Sequence, residues 1–418
     1  MEPSATSRGA LEDGVAVEVA ASTSTSPPIV EIALAGDDPV APRWIALDRG
    51  QLRVLALERT GLVRYAIDVG DRSASPTHVA SFADHSPSHA ALDGARQLVW
   101  WTTPSEQQRI PQERERGELV LTRAHRVATS AGTSAELRRC PEPDASPSRR
   151  IRGPRGALRA LVDADTLPGT LATRAPPCDH RITALLPVSS GLLIGGSLAA
   201  GALSEARPWL GIVSPEGVLA HEATLEVTSG MAAVDGLVAT DAGVFALAWS
   251  RFGEVSRGTL TLFREGTLEQ IASAPLATTS HTSSWSAMAA APDGGLYVVV
   301  PRTSHELVLV VVAPDGAIVR EQTIEGLSIG FTQLQLDHHD GALWLAAANP
   351  FAARSPRLDL TRLDPTTGVV LARHDIALPA TFEPSARRML AIDGGYVLAG
   401  RLDHTRSVVL WVPLPSDP

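Results

Sequence analysis

Apolar residues along the chain come in short runs of five to seven, alternating or continuous, and Gly, Pro or Asp bounds each run. A period of two in segments this short predicts strands. Runs such as LYVVV (296–300) and LVLVVVAP (307–314) are also too rich in β-branched residues for helices. One unit recurs, a turn carrying Gly and usually Asp, followed by a strand: Asp48-Arg49-Gly50 before QLRVLAL, Asp93-Gly94 before ARQLVWW, Ser190-Gly191 before LLIGG and Asp241-Ala242-Gly243 before VFALAW. Asp293-Gly294-Gly295 before LYVVV, Asp340-Gly341 before ALWLAAA and Asp393-Gly394-Gly395 before YVLAG complete seven copies. The marking glycines step by 44, 97, 52, 52, 46 and 54 residues.

Each copy is followed by an apolar strand, a turn and another strand, as in 208–225, 259–274, 306–324 and 357–376; 157–175 fits the same slot within the long step. Four antiparallel strands in about 50 residues cannot cover both of their faces alone, but sheets packed radially can. The expectation is an all-β fold, a seven-bladed β-propeller of four-stranded antiparallel blades over residues 27–418, with an Arg-rich insertion, 104–156, in the second blade. The seventh copy ends after its third strand, SVVLWVPLP (407–415), leaving an unpaired edge. PIVEIALAG (28–36) has strand character and is expected to close the ring as the fourth strand of that last blade. Residues 1–26, rich in Ser, Thr and Ala, are expected to be a disordered tail.

The Asp-x-x-Asp-Gly-x-Leu-Trp run from Asp337 to Trp344 and the Asp-Gly-Gly-Leu-Tyr run from Asp293 to Tyr297 resemble repeats of bacterial propellers of the SBBP and two-component-regulator types. Leu193-Ile194-Gly195-Gly196 is similar to a kelch strand. The resemblance covers about residues 28–415 and implies a propeller without naming an activity. No Ser-x-Asp-x-Gly-x-x-Trp box of the sialidase type appears.

Composition narrows the function classes. The 36 basic residues are all Arg. Without Lys there is no Walker A loop, no protein kinase and no Schiff-base or pyridoxal chemistry. A net charge of −10 disfavours nucleic acid as a partner, although Arg109 to Arg159 carries 12 Arg against 6 acidic residues. Residues 1–28 lack the basic start and apolar run of a secretory signal, and no segment reaches the apolar length of a membrane span. A cytoplasmic monomer is the default, exported if the true N-terminus is missing.

Several motifs invite chemistry. Gly326 to Gly330 matches a nucleophile elbow around Ser328, with Asp340 and His374 downstream, but no helix has room to follow it, so a turn of small residues is expected. Asp337-His338-His339-Asp340 has donors suited to zinc, yet adjacent residues of an extended chain point to opposite faces, so a solvated turn and no metal are expected. Cys140 and Cys178, both beside Pro, fall in loops at one end of the propeller and could meet as a disulfide in an oxidising compartment; in the cytoplasm two separate thiols are expected. Arg251, Arg302 and Arg401 follow second strands at similar offsets and, with Arg354, would ring one rim, where guanidinium groups grip carboxylates or phosphates. Five of the eight Trp, Trp44, Trp100, Trp249, Trp285 and Trp344, are expected to pack between blades. Taken together these residues predict a non-enzymatic binding propeller, with no catalytic residue and no cofactor, presenting an Arg-rich top face to a protein or anionic ligand. The alternative is a propeller hydrolase or lyase acting in the central channel on a small or sugar-like substrate.

Overall fold

The computed structural model describes residues 29–34, 41–48, 51–57, 61–81, 85–92, 98–104, 124–129, 134–139, 158–162, 180–198, 207–213, 219–226, 231–252, 255–279, 286–303, 306–324, 333–349, 356–403 and 405–414. Among these residues every regular element is a strand, and every strand pairing is antiparallel. Sheet one runs through Ala41–Asp48, Gln51–Leu57, Gly61–Asp68 and Ser73–Ser81, and sheet three through His180–Val188, Gly191–Leu198, Arg207–Val213 and Leu219–Thr224. Sheet four is Met231–Thr240, Gly243–Phe252, Val255–Phe263 and Gln270–Thr279; sheet five is Ala287–Ala290, Leu296–Thr303, Glu306–Val312 and Ile318–Ile324. Sheet six is Gln333–His339, Ala342–Asn349, Arg357–Leu363 and Val370–Ala377. Sheet seven is Phe382–Ile392, Gly395–Leu402, Arg406–Pro413 and Val30–Ala33.

The last strand of sheet seven comes from the start of the described chain. Val30 lies opposite Trp411 and Ala33 opposite Val408; Val30 and Ile32 are buried while Glu31 and Ala33 face out. Glu31 accepts from Arg406 across the pair at 3.2 Å. Sheet two differs from the strand assignment made from sequence. His85–Leu92 and Leu98–Pro104 are joined by Ala124–Thr129 and Ser134–Arg139, both from within the 104–156 stretch, and Leu158–Val162 adds a fifth strand. The nearer hairpin has the shorter loop to close, and SAELRR is too polar to announce a strand.

The core lies between sheets. Phe245, Leu247 and Trp249 of sheet four meet Val298, Val300 and Val308 of sheet five; Trp344, Leu358 and Leu360 of sheet six meet Tyr396, Leu398 and Leu410 of sheet seven. Sheets five and six, and sheets seven and one, are joined in the same way. Each buried aliphatic or aromatic side chain contributes about 1.5–3 kcal/mol, so second strands such as Leu296–Val300, buried on both faces, anchor their sheets. The first strands of successive sheets lie against one another in order, and Phe382–Ile392 of sheet seven lies against Ala41–Asp48 of sheet one. Short turns join first to second strands. In sheet six Asp340 and Gly341 both take positive φ, 49° and 69°, the backbone that matches the twist of a two-residue hairpin.

Candidate functional site

First strands form one free edge of most sheets, and in several of them the ladder slips at a similar height. The register shifts between Pro42 and Trp44 in sheet one, Pro87 and His89 in sheet two, Ile182 and Ala184 in sheet three, and Val234 and Gly236 in sheet four. Sheet seven shifts between Pro384 and Met389. A bulged residue has no partner across the ladder and leaves the alternation of faces, which is how bulges re-aim side chains.

Asp235 is such a residue. On one side of it Val234 leans toward sheet three, where a Cβ added to Gly195 would meet it at 2.9 Å; on the other, a Cβ added to Gly236 would lie 2.5 Å from Met288 of sheet five. The partly exposed Asp235 reaches the start of the neighbouring first strand, where Ser286 Oγ donates to its Oδ2 at 2.9 Å. Trp249 Nε1 in turn donates to Ser286 Oγ at 3.3 Å. An indole N–H can only donate, so the serine's single proton is left for the carboxylate. The bulged Thr183 likewise reaches across sheets, its hydroxyl donating to the Val234 carbonyl. A fixed, partly exposed carboxylate beside one oriented hydroxyl can take and return a proton.

Sheet six has no bulge in its first strand, and its polar residues follow the alternation. Gln335, Asp337 and His339 turn toward sheet seven, whereas Leu334 and Leu336 turn toward sheet five and His338 stacks on Tyr297 at 6.0 Å between centroids. Asp337 accepts from Tyr396 Oη at 2.8 Å, the Ala391 amide at 3.2 Å and Gln335 Nε2 at 3.2 Å. Loss of solvent pushes its pKa up, and those three donors pull against the rise. Burial, with the Asp337 charge beside it, holds the Tyr396 hydroxyl well above its ordinary range. Burial also raises Tyr297 and, with His339 close by, lowers His338.

Residues able to hold a metal gather at the neighbouring turns. His339 Nε2 lies 3.4 Å from Asp340 Oδ2 and 3.2 Å from Asp393 Oδ1 of the sheet-seven turn. The nitrogen is enclosed, yet neither approach has the direction of a hydrogen bond. The tetrapeptide at 337–340 pointed to zinc-type donors; Asp393 was missed because it is 53 positions further along and joins only through sheet packing.

Of the arginines expected to form a rim, Arg251 pairs in register with Met231 and Ser256 near the end of its strand, and Arg401 with Glu383 and Ser407. Arg302 is held by Glu306 at 3.3 Å and Glu321 at 3.1 Å. Arg354, Ser328, Cys140, Cys178 and residues 1–26 lie outside the described residues. Trp249 and Trp344 are buried between sheets.

No protein-family model matches the chain, and no curated protein matches it. Among solved structures, the NanB sialidase from Streptococcus pneumoniae is similar at 10% identity over 92% of this chain and 70% of that one, TM-score 0.44. Polysaccharide lyase Uly1 is similar at 7% identity over 92% of each, TM-score 0.48. A GH43 endo-arabinanase from Bacillus licheniformis is similar at 11% identity over 56% of this chain and 93% of that one, TM-score 0.33. These three are enzymes, and the expectation of a non-enzymatic binding propeller finds no support among them. Of the four arginines expected on the rim, Arg302 is committed to carboxylates, Glu306 and Glu321; beyond those four, Arg357 pairs with Asp375, and Arg406 with Glu31 and Asp403. Among the described residues no helix is long and apolar enough to cross a membrane.

Proposed function

We propose that the seven sheets are the blades of a ring closed by Val30–Ala33, and that the chain is a hydrolase or lyase acting on a small or sugar-like substrate in its central channel. Two observations support the ring: the first strands touch in unbroken order, and the seventh returns to the first. The reading of activity is carried by the Trp249–Ser286–Asp235 relay at a bulge of a first strand. Asp235 takes the proton, in hydrolysis from the water whose oxygen bonds to carbon as the carbon–oxygen bond breaks, in elimination from carbon as the freed electron pair becomes the double bond and expels the leaving oxygen, and that oxygen takes the proton up; Ser286 keeps the carboxylate aimed.

The test is turnover of a panel of glycosides and uronate-containing polysaccharides by the full chain, with products examined for an added water or a new carbon–carbon double bond. Replacing Asp235 with Asn keeps size and the serine contact but removes the base, so turnover falls by about 100-fold or more with an unchanged melting profile. Turnover retained in the Asn variant would remove Asp235 from the mechanism.

A further inference from the structure

We propose that His339, Asp340 and Asp393 hold a divalent transition-metal ion, with Zn²⁺ best matched to the donors, which ties the first hairpin of sheet six to that of sheet seven. The inference is independent of any role for Asp235. One nitrogen and two carboxylate oxygens, one from each residue, lie within 4.8 Å of one another. Ligands at about 2.0–2.2 Å from a tetrahedral ion are spaced by about 3.3–3.5 Å; the two nitrogen–oxygen separations here are 3.2 and 3.4 Å. Those separations alone would also suit ion pairs. Direction decides between them, because the enclosed Nε2 points no hydrogen bond at either carboxylate. An enclosed ring nitrogen without a partner is costly, and a metal on its lone pair satisfies it.

The backbone explains how neighbours in sequence come to share a site. Regular extension would send His339 and Asp340 to opposite faces. The left-handed Asp340, φ 49°, breaks that alternation and brings its carboxylate back beside the imidazole. Asp393 arrives from the equivalent turn of the next sheet. The imidazole separates this site from a purely acidic turn, since it favours zinc over calcium or magnesium. Both carboxylates are largely exposed, 79% and 96%, so an ion reaches them first from solvent and the enclosed imidazole nitrogen completes its binding from the inner side.

The experiment uses the full chain stripped with a chelator and titrated with Zn²⁺ in a calorimeter, with thermal unfolding followed alongside. One Zn²⁺ per chain and a raised melting temperature are expected. Asp393→Asn, at an exposed turn, weakens binding by at least about tenfold, and His339→Gln does the same while abolishing the visible spectrum of the Co²⁺-loaded chain. Asp364→Asn, an exposed turn aspartate elsewhere in sheet six, leaves binding unchanged. The proposal is overturned by the lack of saturable Zn²⁺ binding, by unaltered affinity in both His339→Gln and Asp393→Asn, or by Ca²⁺ binding as tightly as Zn²⁺.

Discussion

Asp235 and Asp337 sit on the first strands of sheets four and six, yet they meet opposite fates. Asp235 occupies a bulge, leaves the alternation and keeps access to solvent beside Ser286. Asp337 stands in regular register opposite Trp344, so the pleat delivers it to the interface with sheet seven, where a hydroxyl, a backbone amide and a side-chain amide receive it. One extra residue in a strand thus separates a carboxylate left partly open to solvent from one built into the packing. The donors show the same split: Asp235 has an oriented hydroxyl near solvent, whereas Asp337 has three donors that offset its desolvation.

If that contrast is right, the buried partner matters most to stability. Tyr396→Phe removes the 2.8 Å donor to Asp337 without opening a cavity and should cost about 1–3 kcal/mol in denaturant unfolding. A variant as stable as the parent would mean that Asp337 does not depend on its tyrosine. Ser286→Ala deletes the equivalent donor to Asp235, but water can take its place, so the expected cost is below about 1 kcal/mol. Its larger effect should be on turnover, which falls by about tenfold as the carboxylate loses its aim. Equal stability losses in the two variants would erase the distinction between the positions.

The strand pattern was legible because period-two runs and Asp-Gly turns are local. The turns at 293–295, 340–341 and 393–395 each join a first strand to a second, and the unpaired edge after Arg406–Pro413 called for a partner that Val30–Ala33 supplies. What stayed hidden was set by neighbouring sheets. The one local difference between Asp235 and Asp337 is the glycine that follows the first, a bulge marker that gains its meaning only where Val234 packs on sheet three and Gly236 fits beside Met288. Asp393 and His339 share no sequence window. Arg302 looked free for a ligand because Glu321 lies 19 positions away, on a strand whose register only pairing reveals. Ser286 gave no signal at all: it precedes a short strand of four residues and matters through the carboxylate one sheet away.

A third aspartate tests whether donors, rather than burial alone, separate these environments. Asp359, in the third strand of sheet six, lies directly across from Asp375, and the Arg373 guanidinium is 3.9 Å away, beyond hydrogen-bond length. Loss of solvent raises its pKa, Arg373 opposes the rise, and the like charge of Asp375 adds to it. The folded chain therefore keeps a proton on Asp359 at pH values where the unfolded chain has lost it. The stability this proton confers is complete below the free carboxylate range and is lost as pH rises through the raised value. Asp359→Asn removes that dependence. Its melting temperature relative to the parent should climb with pH across that interval and level off above it, with a smaller change than either substitution described above. Parallel melting curves from acid to neutral pH would show that Arg373 already compensates Asp359, and that partial burial without hydrogen-bond donors costs this carboxylate nothing.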